Sequence, residues 1–177
     1  MHKQYDAAEC RAYLLRNEIW LHLFVLNLIA NSIGAFFSMH AGIDRMIRKA
    51  YFISPIVDME RLILNMMSWA NVTEKKLEEK RVIATAFGED LSWDYLCYVR
   101  EHPVRWNAPT RILYGSRDNL TAYETVSAFA ETYGAELTVM EDGEHWFHTD
   151  GQMRFLDDWI RQGEKKLQTV VRMEESG

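Results

Sequence analysis

Three short segments carry side chains that could do chemistry together: Ala30-Asn31-Ser32-Ile33-Gly34, Gly115-Ser116-Arg117-Asp118-Asn119 and Gly143-Glu144-His145-Trp146-Phe147-His148. A serine hydroxyl is a weak nucleophile until a neutral imidazole takes its proton. The imidazole in turn needs a carboxylate on its other nitrogen to fix its tautomer and to stabilise the imidazolium. Ser32 is thus the candidate nucleophile, His145 the general base and then acid, and Asp118 the orienting carboxylate. A sharp strand-to-helix turn favours small residues two positions before and after the serine, which Ala30 and Gly34 supply. The backbone N–H of Ile33, at the start of the following helix, is the candidate donor to an oxyanion.

Rival residues share parts of this pattern. Asp58 also follows an apolar strand and competes with Asp118 for the carboxylate role, and His148 competes with His145. Ser38, Ser54, Ser68 and Ser116 lack the strand-turn-helix setting and read as structural. Met66, Met67, Trp69, Trp93, Tyr95 and Trp106 have two readings, packing among themselves or lining an apolar pocket; Trp146, Met66 and Trp69 are the pocket candidates.

The elements that must position these residues follow from periodicity and punctuation. Asp6–Arg16 reads as an amphipathic helix opened by an Asp6/Glu9 capping box. Phe24–Ala30 is a buried strand, Gly34–His40 a helix, and Lys49–Ile53 a strand stopped by Ser54-Pro55. Thr110–Tyr114 and Glu136–Met140 are further strands. A Thr121/Glu124 capping box is expected to open a helix ending near Gly134, and a Thr149/Gln152 box a last helix with Met153, Phe155, Leu156 and Ile160 on one face. Strands alternating with helices imply an α/β fold with a parallel sheet. Residues 56–108, with helical patterns at Met59–Ala70, Glu74–Arg81 and Ser92–Arg100, are too long for a simple connection and read as an insertion.

Composition narrows the classes of function. The 177 residues are 48% apolar, enough for one substantial core, and the net charge of −6 comes without a basic stripe to neutralise phosphates. Nucleic acid is therefore not an expected partner. Cys10 and Cys97 are far apart and outside any metal-ligand spacing, so no metal, cofactor or disulfide framework is expected, and a reducing, cytoplasmic setting fits. The longest apolar run, around Leu21–Ala30, is interrupted by His22 and Asn27 and too short to span a bilayer, so no membrane association is expected.

The segments around Ser32, Asp118 and His145, together with Ser54-Pro55-Ile56-Val57-Asp58-Met59, resemble α/β-hydrolases with a helical cap of the kind predicted in bacteria. The resemblance runs from about residue 6 to about residue 162. It implies that residues 1–55 and 109–165 form two parts of a core with a sheet of about four parallel strands, matching the last four of the family's eight. Residues 56–108 would be the cap and 166–177 a tail. It also implies hydrolysis of a small ester, thioester or amide through an acyl-serine. The family's first strands, whose third is followed by the loop that gives a second oxyanion donor, have no counterpart before Asp6. The alternatives are an active enzyme, or a catalytically impaired remnant serving as a binding or assembly module. The strand at Phe24–Ala30 would then be left as an exposed apolar edge, so either the chain is a fragment of a longer gene product, or a second copy or partner chain covers that edge, or the domain has been remodelled.

Overall fold

The computed structural model describes residues 26–174, with side chains through Glu164; the helix expected at Asp6–Arg16 lies outside the described residues. Four strands, β1 (Leu26–Asn31), β2 (Ile47–Ile53), β5 (Thr110–Gly115) and β6 (Glu136–Met140), pair in parallel in the order β1-β2-β5-β6. Helix α1 (Ile33–His40) joins β1 to β2, α5 (Tyr123–Tyr133) joins β5 to β6, and α6 (Asp150–Glu174) follows β6. The last helix continues to Glu174, into the segment expected as a tail, with no glycine or proline between Gly163 and Glu174 to interrupt it.

Strand alternation sends successive side chains to opposite faces. On one face Ala30, Ala50, Phe52, Ile112 and Tyr114 pack against Ala35 and Met39 of α1 and Val126, Phe129 and Ala130 of α5. On the other, Tyr51, Ile53 and Leu113 meet Phe147 and Trp159. The buried runs of β2 and β5 reflect this double coverage, which a parallel sheet requires. Each large apolar side chain among them, such as Phe52, Ile112 or Leu113, contributes about 1.5–3 kcal/mol by leaving water.

Between β2 and β5 stand α2 (Met59–Trp69), α3 (Glu74–Lys80), a two-stranded antiparallel pair, β3 (Val82–Ile83) and β4 (Leu91–Ser92), and α4 (Trp93–Glu101). Ile63, Met67, Leu77, Leu91 and Leu96 make a separate apolar cluster, joined to the main body through Phe36 of α1. Arg100 ties the three helices together, its guanidinium 2.6 Å from Glu60 and 2.8 Å from Glu74. Hydrogen bonds from Arg100 hold the Glu74 carboxyl below its usual range. Met67 is buried within this cluster, as expected, but Trp106 packs on the main sheet against Phe52 and donates to Thr110 Oγ1.

Two capping expectations are corrected by the geometry. Helix α5 starts one residue later than expected, at an N-cap Ala122 without a side-chain bond. Thr121 is drawn away from capping because its carbonyl accepts from the Tyr114 hydroxyl (2.8 Å) and its amide binds Asp118. At α6, Thr149 Oγ1 does accept from Gln152 N, but the Gln152 side chain turns to His148 N instead of closing the box.

The apolar face of α6 also differs from expectation. Trp159 is buried with Leu156 and Ile160 beside it, whereas Met153 (50% exposed) and Phe155 (37% exposed) point outward. Gly163 lets this helix approach the sheet: a Cβ there would stand 2.6 Å from the Tyr51 hydroxyl and 2.5 Å from Arg111 Nη1. Gly163→Ala should therefore destabilise the fold by about 1–3 kcal/mol, despite alanine's helix propensity advantage of about 1 kcal/mol. Urea denaturation measures the sign: a stabilised Gly163→Ala protein would mean that α6 shifts freely.

Candidate active site

Ser32 occupies the turn between β1 and α1 with φ 49° and ψ −122°, a conformation that a non-glycine residue adopts only when its surroundings impose it. Those surroundings are backbone hydrogen bonds. Ser32 N donates to Ile53 O (2.9 Å), while Ser32 O accepts from Ile56 N and Ala35 N (3.1 Å each). The end of β2 and the start of the insertion thus clamp the serine turn on one side. The Ile33 N–H is the first of α1 and has no acceptor within the helix, so it is available beside the Ser32 hydroxyl.

The expectation that Gly34 must be small to avoid a close neighbour is not met by the described residues. A Cβ at Gly34 would meet nothing within 4 Å. The reason is topological: β1 is the edge strand of the sheet, so no described strand lies beyond the Ser32 turn.

Asp118 and His145 come from the loops after β5 and β6, which touch through their backbones. Arg117 N donates to Gly143 O (2.8 Å), Ser116 N to Met140 O (3.0 Å), and Asp142 N to the Ser116 hydroxyl (2.8 Å). Gly115 makes this contact feasible, since a Cβ there would lie 2.5 Å from the Gly143 carbonyl carbon and closer still to its oxygen. Both glycines are visible in the sequence beside the acid and the base, but their mutual approach comes from the pairing of β5 with β6, Gly115 standing opposite Met140.

The result is one continuous hydrogen-bonded chain. His145 Nδ1 lies 2.7 Å from Asp118 Oδ2, and His145 Nε2 lies 2.8 Å from Ser32 Oγ. The side chains of Asp118 (0% exposed) and His145 (1% exposed) are withdrawn from water, so the carboxylate acts on the imidazole with little screening. Asp118 Oδ1 accepts from Leu120 N (2.9 Å) and Thr121 N (3.0 Å), which fixes the orientation of the carboxylate. With Nδ1–H donated to that carboxylate, Nε2 presents its lone pair to the serine O–H. Nearby, burial and then the Asp118 charge push the Tyr114 phenol up to about 12, so it remains a donor to Thr121 O.

The rival residues are engaged elsewhere. Asp58 is the N-cap of α2, accepting from Arg61 N at 2.9 Å. His148 is exposed and pairs with Glu144 at 3.2 Å. Of the pocket candidates, Trp146 stands edge-on to His145 (5.0 Å) and is 64% exposed. Trp69 stands edge-on to Phe87 (6.2 Å), and Met66 packs on the insertion cluster. A cavity of about 550 Å3 lined by Phe36, Val57, Met59, Val99, Val104 and Phe129 includes neither the triad nor these three residues. No metal-binding cluster occurs among the described residues, and none of their helices is long and apolar enough to cross a membrane.

No family model matches the chain, and no curated protein sequence matches it. Solved structures do. A protein from Agrobacterium vitis described as a hydrolase superposes with a TM-score of 0.65 at 14% identity, covering 88% of this chain and 66% of that one. Est1E from Butyrivibrio proteoclasticus, seen with ferulic acid bound, gives 0.59 at 17% identity, covering 92% and 69%. An alpha-beta serine hydrolase homologue from Coxiella burnetii gives 0.50 at 19%, covering 92% and 62%. The chain spans about two thirds of the length of these structures. At such identities the likeness speaks for architecture: the chain carries part of the α/β-hydrolase fold, its four-stranded parallel sheet flanked by helices.

Proposed function

We propose that the chain is a serine hydrolase that cleaves a small ester, thioester or amide through an acyl-Ser32 intermediate. One observation carries the reading: the buried hydrogen-bonded series Asp118–His145–Ser32, with separations of 2.7 and 2.8 Å. Ser32 Oγ attacks the carbonyl carbon as its proton passes to His145 Nε2. The tetrahedral oxyanion accepts the Ile33 N–H, and the imidazolium stands against the Asp118 carboxylate. Collapse breaks the bond to the leaving group, which takes the proton from Nε2. Water, deprotonated by the same nitrogen, then attacks the acyl-serine and releases the acid and the Ser32 hydroxyl. Residues 56–108 act as the cap over this centre, exposed Trp146 borders the substrate, and the cysteine usage suits a cytoplasmic protein.

A second reading, an impaired module that binds but does not turn over, draws on the position of β1 at the sheet edge, where only one backbone oxyanion donor is described. Losing one of two donors costs a factor on the order of a hundred to a thousand in rate. Treatment with a fluorophosphonate probe separates the two readings. The expected result is a single phosphonylated peptide containing Ser32, lost in His145→Ala. An unlabelled protein with native circular dichroism would sink the enzyme reading.

A further inference from the structure

The loop that carries His145 is pinned at both ends. At its start, Gly143 N donates to Met140 O (3.1 Å) and Gly143 O accepts from Arg117 N (2.8 Å). At its end stands Phe147 with φ 44°, a left-handed conformation that a bulky aromatic residue keeps only where its surroundings over-determine it. Part of that restraint is apolar, since the Phe147 side chain is 1% exposed and packs among Tyr51, Ile53, Leu113 and Trp159. The Phe147 amide itself makes a long bond, 3.4 Å to Glu144 O. The peptide that follows is held more closely, and by a side chain: His148 N donates to Gln152 Oε1 at 3.0 Å.

That bond is unusual for its place. Gln152 is the third residue of α6, and its own amide donates to Thr149 Oγ1 (3.3 Å), so Thr149 caps the helix. A glutamine in this position ordinarily reaches back to the amide of the capping residue. Gln152 reaches one residue further, out of the helix and into the His145 loop. It does so as a buried side chain, 6% exposed, although glutamine is mostly a surface residue.

We infer that Gln152 is a positioning residue for His145. Its side-chain oxygen fixes the Phe147–His148 peptide and thereby the strained turn that presents the imidazole to Ser32. The imidazole is bonded at both nitrogens, to Asp118 and to Ser32, and otherwise follows its backbone between the Gly143 and Phe147 pins. Without the acceptor, Phe147 gains by relaxing to an ordinary φ, and that rotation swings the chain that carries His145 two residues earlier. The effect on rate rests on the proposed hydrolase role, whereas the effect on the Asp118–His145 geometry does not.

Gln152→Leu removes the acceptor, and Gln152→Asn withdraws it by one methylene. Gln152→Glu keeps both the reach and an acceptor oxygen, at a helix start that favours negative charge. Tyr51→Phe is the control: it frees α6 elsewhere, at the Tyr51 hydroxyl bond to Glu164 (2.7 Å), and leaves the loop backbone alone. On p-nitrophenyl acetate, well below each urea midpoint, Gln152→Leu and Gln152→Asn should lower kcat about ten- to a hundredfold with little change in KM. Gln152→Glu should recover most of that loss, and Tyr51→Phe should keep the kcat of the unaltered protein. If Gln152 merely supports the helix, folded Gln152→Leu and Gln152→Asn keep full kcat, or Tyr51→Phe falls with them. Either result overturns the inference, as does a Gln152→Glu protein no better than Gln152→Leu. Should Gln152→Leu fail to fold, Gln152→Asn decides. The proton resonance of His145 Nδ1–H, moved downfield by its bond to Asp118, separates failure of this inference from failure of the hydrolase reading. In a protein without turnover, a resonance kept in Gln152→Glu and lost in Gln152→Leu and Gln152→Asn still supports the positioning role. Its absence from the unaltered protein, or its persistence unchanged without the acceptor, overturns that role whether or not the chain is an enzyme.

Discussion

Ser32→Ala is expected to lower turnover of an activated acyl ester by about 10⁵–10⁶-fold, because removing the nucleophile disables the triad as a unit. Stability should hardly change. The hydroxyl makes one hydrogen bond, to His145 Nε2, whose loss costs about 1 kcal/mol, and little packing goes with it. The backbone strain at φ 49° is common to serine and alanine, so it cancels in the comparison. Ser32→Gly makes the point sharper. Glycine tolerates positive φ, and Ser32→Gly should be more stable than Ser32→Ala while being equally inactive. Initial rates on p-nitrophenyl acetate, with urea midpoints for all three proteins, provide the measurement. Retained turnover in Ser32→Ala would remove this serine from the chemistry. Lost turnover with a collapsed midpoint would mean that the serine holds the turn together and would leave its chemistry undecided.

The fold was legible where a pattern is local. β2 and β5 finish in the apolar runs Ala50–Ile53 and Ile112–Tyr114, and β1 and β6 end at polar or glycine signals, so all four strands appear in the sequence within two residues of their observed bounds. The three helices of the insertion are opened by Asp58, Thr73 and Ser92, whose side chains each accept a backbone N–H. What the sequence could not reveal depends on partners distant in the chain. Thr121 has the composition of an N-cap, but Asp118 and Tyr114 claim its backbone groups first. The buried side of α6 is decided by where the helix crosses Tyr51 and Arg111, more than 100 and about 50 residues away, so Phe155 is left outside and Trp159 inside. The three central site residues were legible because each follows a strand of one parallel sheet, and parallel order carries all such loops to the same edge. That Asp58 belongs to α2 and His148 to Glu144 depended on side-chain partners that order along the chain does not specify.

Gly115→Ala should disrupt both stability and function more than any other single methyl group added at a described glycine facing backbone. The new Cβ would lie 2.5 Å from the Gly143 carbonyl carbon and 3.0 Å from Glu144 N, atoms that cannot rotate away as a side chain can. Relief requires the β6–α6 loop to move from the β5–α5 loop, which breaks the Arg117 N to Gly143 O bond. Overpacking of this kind costs about 1–3 kcal/mol, and the lost hydrogen bond adds about 1 kcal/mol. The functional effect should exceed the stability effect. His145 sits two residues beyond Gly143 and Asp118 three beyond Gly115, so separating the loops stretches the 2.7 Å bond that orients the imidazole. A misplacement of about 1 Å costs on the order of a hundredfold in rate. Folded Gly115→Ala, selected below its denaturation midpoint, should therefore show a kcat reduced at least that much and diminished fluorophosphonate labelling of Ser32. If Gly115→Ala instead keeps native stability and labelling, the two loops are free to separate without consequence, and the positioning of His145 must come from Phe147 packed beneath it on Leu113 and Trp159.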